Sequence, residues 1–165
     1  MKGQRIIRPQ EGSERSPDVF SDVSAELLRR GARVRFRATG RSMQPTIHEG
    51  EAITVEPVAP AAVTRGDILL YRWERGVIAH RVIRIERKKG GAVTQSSVLS
   101  PHDSLILRGD ASASCDCPVE PEQVLGKVVA VERAGRRIDL AGRRAKLKRT
   151  CRVWASRLVH RLHLK

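Results

Sequence analysis

The chain has 165 residues, with 32 Lys+Arg against 18 Asp+Glu, a formal net charge of +14 and 40% hydrophobic residues. That length and apolar content suit one domain with a real core and exclude a compositionally disordered chain. No window approaches the roughly 18 consecutive apolar residues of a membrane-spanning helix. The N-terminal stretch MKGQRIIRPQEGSERSPD also lacks the apolar run of roughly 7–15 residues that marks a secretory signal, so a cytoplasmic protein is expected.

Residues 1–18, polar and interrupted by Gly3, Pro9, Gly12 and Pro17, are predicted to be a flexible arm. Residues 19–30 place Phe20, Val23, Leu27 and Leu28 on one helical stripe, with Ser21 as a capping candidate and Gly31 where a helix end favours a left-handed residue. The period then changes from helical to alternating. Residues 33–39 put Val34, Phe36 and Ala38 on one side and three arginines on the other, the pattern of a half-buried strand.

Further strands are expected at Ala52–Glu56, Asp67–Arg72, Val77–Arg87, Ala92–Leu99, Leu105–Arg108, Val124–Arg133 and Arg137–Leu140. Gly90-Gly91 and Ala134-Gly135 have the character of hairpin turns. In residues 141–165, Leu147, Cys151, Trp154, Leu158 and Leu162 follow helical spacing. The expected fold is therefore mainly β, with residues 19–140 as its body, a short N-terminal helix and a basic amphipathic C-terminal helix.

The charge is unevenly placed. Residues 141–165 hold nine Lys/Arg and no acidic residue, leaving 23 basic against 18 acidic in residues 1–140. Such a split argues against a nucleic-acid footprint spread over the whole surface. The tail could dock on the β body, lie on an anionic membrane surface or bind a partner, nucleic acid being the less expected one. Three cysteines, Cys115, Cys117 and Cys151, are an odd number, which does not suit a disulfide framework. Cys115-Asp-Cys117 lacks the further ligands a zinc site uses, so a reduced pair with no metal and no cofactor is expected.

The most specific stretch is Gly40-Arg-Ser-Met-Gln-Pro-Thr-Ile-His-Glu-Gly50. A serine at a turn just after a strand can present both its Oγ and a backbone N–H to a cleft, as a nucleophile and its oxyanion require. Read locally, an ordinary serine turn is the favoured account.

Its pattern resembles the Gly-x-Ser-Met-x-Pro nucleophile box of the signal peptidase I and self-cleaving repressor superfamily of serine peptidases. Further segments resemble that superfamily's boxes in the expected order. They are Glu49-Gly-Glu-Ala-Ile-Thr-Val55, Arg65-Gly-Asp-Ile-Leu-Leu-Tyr71, Ile78-Ala-His-Arg-Val82 and Leu107-Arg-Gly-Asp110. The likeness spans about residues 33–133 and implies a β-barrel or coiled β-sheet domain. Most bacterial members and the repressors carry a Lys where this chain has His80. The His-Arg-Val pattern and His48 after the nucleophile box are similar to the endoplasmic-reticulum and archaeal type.

The resemblance implies Ser42 as nucleophile and His80 as general base, a role for which imidazole titrates in the right range. It also implies an orienting carboxylate from Asp110 or Asp116, with Asp116 favoured and Asp110 supporting. Met43 is expected to pack at the wall of the substrate cleft or in the core. Asp67 and His48 are expected to be turn-supporting residues, His102 solvated, and His160 and His163 part of the basic tail. The implied activity is endopeptidase cleavage of a protein or peptide precursor, with small residues beside the scissile bond.

Two other readings are of different kinds. The 32 residues ahead of the β region are too few for the separate DNA-binding domain of a self-processing regulator. A non-catalytic module gripping nucleic acid through its tail would not require the Ser, His and Asp boxes together.

Overall fold

A computed structural model describes residues 17–74, 76–86 and 103–141. The predicted strand at 92–99, the Gly90-Gly91 turn, His102, most of the N-terminal arm and the C-terminal helix lie outside the described residues. Helix α1 spans Pro17–Arg29. It opens on a proline, which suits the first helical position because the N–H there has no intrahelical acceptor.

Ser21 does not cap α1. It lies within the helix and is 1% exposed. The buried stripe is Ser21, Ser24, Ala25 and Leu28, at i, i+3, i+4 and i+7, whereas Val23 of the expected stripe is 45% exposed. Small side chains let the helix lie close to the sheet, so they displaced the larger apolar residue. Gly31 ends α1 with a φ of +80°. Its N–H bonds Leu28 O and that of Ala32 bonds Leu27 O, the paired bonds of a Schellman ending.

Among the described residues seven strands follow: β1 (Val34–Arg37), β2 (Ala52–Glu56), β3 (Ile68–Trp73), β4 (Gly76–Glu86), β5 (Ser104–Arg108), β6 (Val124–Arg133) and β7 (Arg136–Asp139). They form one antiparallel sheet in the order β1-β2-β6-β3-β4-β5, with β7 also on β6. The mainly β class read from the sequence is the observed one, and the ladder among the described residues is open between β1 and β5. β6 holds the sheet together, bonding β2 along one edge while β3 and then β7 occupy the other. The β6–β7 turn is the predicted Ala134-Gly135, both at positive φ, the conformation that suits strand twist in a tight hairpin.

Two apolar clusters fill the sheet's faces. One gathers Leu28, Val34, Met43, Ile47, Ile53, Leu70 and Val131. The other gathers Val63, Leu69, Tyr71, Val82, Leu105, Leu107 and Val119. Gly126 of β6 allows a close approach beneath α1. A Cβ there would meet Glu56 O at 2.6 Å and Leu28 Cδ2 at 3.2 Å.

Two features of this framework bear on the site. β4 is long: residues 76–81 pair β3, and β5 joins it only from Arg81 onward. The outer edge of residues 76–80 thus has no strand partner among the described residues. Likewise β1 is a terminal strand of the ladder.

Candidate active site

Ser42 lies in the turn between β1 and β2. Gly40, at φ +83°, reverses the chain after β1. Gln44 N–H then bonds Arg41 O at 3.1 Å, and Ile47 N–H bonds Met43 O at 2.9 Å. Met43 and Ile47 are 6% and 3% exposed and belong to the core, so they anchor the turn while Ser42 stays exposed. The Ser42 carbonyl accepts the Ala111 N–H at 2.8 Å. Gly109 underlies this contact. A Cβ on it would fall 2.6 Å from Ser42 O and 3.0 Å from Ser42 Cβ. The loop after β5 is therefore packed directly on the backbone of the serine.

His80 is on β4, opposite Leu69 of β3, and is 7% exposed. Its Nε2 is 2.9 Å from Ser42 Oγ and its Nδ1 is 2.6 Å from Asp116 Oδ2. With Asp116 ionised, Nδ1 carries the proton and donates to the carboxylate. Nε2 is then the acceptor facing the Ser42 hydroxyl. Tyr71 Oη donates a second hydrogen bond to Asp116 Oδ2 at 3.0 Å. Burial, then the charge of Asp116, raises the Tyr71 pKa well above its ordinary value, so the phenol keeps its proton and remains a donor. Asp116 N–H bonds Leu107 O at 2.8 Å, which fixes the carboxylate relative to β5.

Asp110 does not reach the His80 ring in this arrangement. Its carboxylate forms a bidentate pair with Arg81, Nε–Oδ1 at 2.6 Å and Nη2–Oδ2 at 2.5 Å. Both side chains are largely buried. Arg81 further donates to Gly66 O at 2.9 Å and Thr46 Oγ1 at 3.2 Å. One guanidinium thus joins the loop after β5, the turn before β3 and the Ser42 loop. Asp67 accepts the N–H and hydroxyl of Thr64, as a turn carboxylate does, and also pairs with Lys127 at 3.0 Å.

A second ionic clamp was not foreseen. Glu51 accepts His48 N–H at 2.8 Å and pairs with the Arg133 guanidinium of β6. Arg133 in turn donates to Thr46 O at 3.2 Å. Arg133 beside it, more than any other group, holds the Glu51 carboxyl down at about 2. His48 Nδ1 lies 3.3 Å from Glu51, consistent with support of the turn. Pairings such as Arg133–Glu51 and Arg81–Asp110 join residues distant in sequence, so no local pattern announces them. The adjacency of His80 and Arg81 was the available signal, because successive strand residues face opposite ways.

Ser42 and His80 line a cleft of about 770 Å³. Its walls are mostly apolar, from Phe36, Met43, Ile53 and Leu70, with Val77–Ala79 of β4 along one side. Phe20 of α1 also reaches it and packs edge-to-face on Phe36, ring centroids 5.0 Å apart. Met43 therefore serves core and cleft together. Residues of β1 and residues 76–80 of β4, which have no further strand alongside among the described residues, line this same cleft.

Among the described residues no group of three or more His, Cys, Asp or Glu side chains is arranged to hold a metal ion. Among them, too, no helix is long and apolar enough to cross a membrane. The sequence model of the Peptidase S24-like family matches residues 8–97, which include Ser42 and His80. No curated protein matches the chain.

Proposed function

Because the chain belongs to the Peptidase S24-like family, whose model matches more than half of it, we propose that it is a serine endopeptidase working through Ser42, His80 and Asp116. The observation that carries this reading is His80 bridging Ser42 Oγ at 2.9 Å and Asp116 at 2.6 Å, beside an open cleft.

In this reaction His80 Nε2 takes the Ser42 hydroxyl proton as Oγ attacks the scissile carbonyl carbon. The developing oxyanion is met by backbone N–H donors of the serine turn. Asp116 holds Nδ1–H and stabilises the imidazolium that forms. His80 then returns the proton to the departing amine, leaving an acyl ester on Ser42. Water, deprotonated by the same Nε2, hydrolyses that ester and restores the hydroxyl.

The substrate in this reading is an extended segment of a protein or peptide precursor. A strand lying between β1 and residues 76–80 would complete their hydrogen bonds by β-augmentation, its side chains alternating into the apolar walls. A histidine at the base position, in a His-Arg-Val setting, favours the endoplasmic-reticulum and archaeal signal-peptidase type over a Ser-Lys repressor. The expected preference is for small residues beside the scissile bond. Mass spectrometric analysis of a mixed peptide library tests both points. Cleavage after small residues that disappears in Ser42→Ala supports the reading, and cleavage that persists in Ser42→Ala overturns it.

A further inference from the structure

Cys115 and Cys117 have no part in that mechanism, yet they flank Asp116. Both thiols are exposed, while the Asp116 side chain between them is 19% exposed and bonds His80 and Tyr71. Exposure thus runs out–in–out along three residues that belong to no strand, with a bend at Cys117. Cys115 opens on a separate shallow groove of about 420 Å³, walled by Ile83 and Ile106 and bearing Arg65 and Arg84.

We propose that Cys115 and Cys117 form a thiol modification site where an anionic low-molecular-weight disulfide closes a Cys115–Cys117 bridge and detaches Asp116 from His80. Its consequence for catalysis rests on the peptidase reading above; its thiol chemistry does not.

Arg65, together with Arg84 although that guanidinium is paired with Glu86, attracts the carboxylates of such a disulfide toward Cys115. The Cys115 thiolate attacks one sulfur of the incoming disulfide, breaking its S–S bond and releasing one thiol. The Cys117 thiolate then attacks the Cys115 sulfur of the mixed disulfide, expelling the second thiol and closing the internal bridge. The two cysteines give up two protons and two electrons, and the incoming disulfide is reduced to two thiols.

Closure is incompatible with the present position of Asp116. In an extended segment, Cβ atoms at i and i+2 are about 6.6 Å apart at ~3.3 Å per residue. A disulfide holds its Cβ atoms at about 3.5–4.5 Å. The backbone through Asp116 must therefore contract by about 2–3 Å. The contacts at 2.6 Å to His80 and 3.0 Å to Tyr71 depend on distance and alignment, and a displacement of that size breaks them. His80 then loses the partner that fixes its Nδ1–H.

The test uses the full chain with Cys151→Ser, leaving Cys115 and Cys117 as its two thiols, and glutathione disulfide as the oxidant. Three quantities are followed: intact mass, the rate of labelling by a serine-reactive acylating probe, and the low-field proton resonance of His80 Nδ1–H. The expected result is loss of two hydrogens without added glutathione, a fall in labelling of about 10²–10⁴-fold, and disappearance of the resonance. Dithiothreitol reverses all three, and a further Cys115→Ser/Cys117→Ser variant shows none of them. Bridge formation with labelling and resonance both unchanged overturns the inference, as does a mass showing only glutathione adducts. If the reduced protein takes no label while the resonance responds as described, the thiol site stands and the peptidase reading fails.

Discussion

His80 and Arg81 are consecutive on β4, and each takes one carboxylate from the loop that follows β5, but the two pairs differ in how fully they are satisfied. Arg81 has a bidentate partner in Asp110 and two further acceptors, Gly66 O and Thr46 Oγ1. His80 has one contact on each nitrogen, and its Nε2 faces an exposed serine hydroxyl. A guanidinium never gives up its proton in this range and can be used purely as a fastener. An imidazole that must accept and return a proton needs one nitrogen fixed and the other committed only to the reacting group. The alternation of a strand separates these duties over a single residue step.

Exchanging the two carboxylates for weaker groups tests that division most severely. Asp116→Asn is expected to slow acylation by about 10²–10⁴-fold, because His80 loses the acceptor that fixes its tautomer. Its denaturation midpoint should move little. Asp110→Ala should do the reverse, costing about 3–5 kcal/mol by leaving the Arg81 guanidinium buried without its counter-ion. The folded fraction should still acylate. Chemical denaturation and probe kinetics on both variants measure this, and equal losses of rate at unchanged stability would break the distinction.

A smaller effect is expected where the fastening loop meets Ser42. Gly109→Ala places a methyl 2.6 Å from Ser42 O, and that neighbour is backbone, which cannot swing away. Overpacking of this kind costs about 1–3 kcal/mol. Because the displaced group is Ser42 itself, labelling should slow more than stability alone explains. Stability loss with an unchanged labelling rate in the folded protein would show that the loop fastens without positioning the serine.

The smallest effect belongs to the second clamp. The Glu51 carboxyl is held at about 2 in the folded chain, chiefly by Arg133, below its unfolded value near about 4.3. A lowered folded-state pKa contributes stability that is fully present above the unfolded value and is lost as pH falls toward about 2. Arg133 is 36% exposed, so solvent screening keeps the gain modest. Thermal melts between about pH 5 and about pH 2 should therefore show an acid-dependent loss that is reduced in Glu51→Gln. Identical pH profiles would remove Glu51 from the support of the serine turn.

How much of this was legible in the sequence depended on whether the signal was local. The alternation at 33–39, the Ala134-Gly135 turn and the left-handed Gly31 all came through, because backbone conformation there follows from neighbouring residues. The face of α1 came through in part. Phe20, Leu27 and Leu28 pack inward as expected, but Val23 is exposed and the smaller Ser21, Ser24 and Ala25 are buried. In the site, Ser42, His80 and Asp116 were named and are in contact. Arg81, Glu51, Arg133 and Tyr71 were not named, since their partners are fixed only when β4, β6 and the loops come together.

The proposal that Ser42 is a nucleophile driven by His80 is tested most directly by mapping the adduct of a serine-reactive acylating probe on the intact chain. The expected result is one covalent adduct on Ser42 Oγ, absent in Ser42→Ala and formed far more slowly in His80→Ala. An adduct at another residue, or equal labelling of all three proteins, would contradict it.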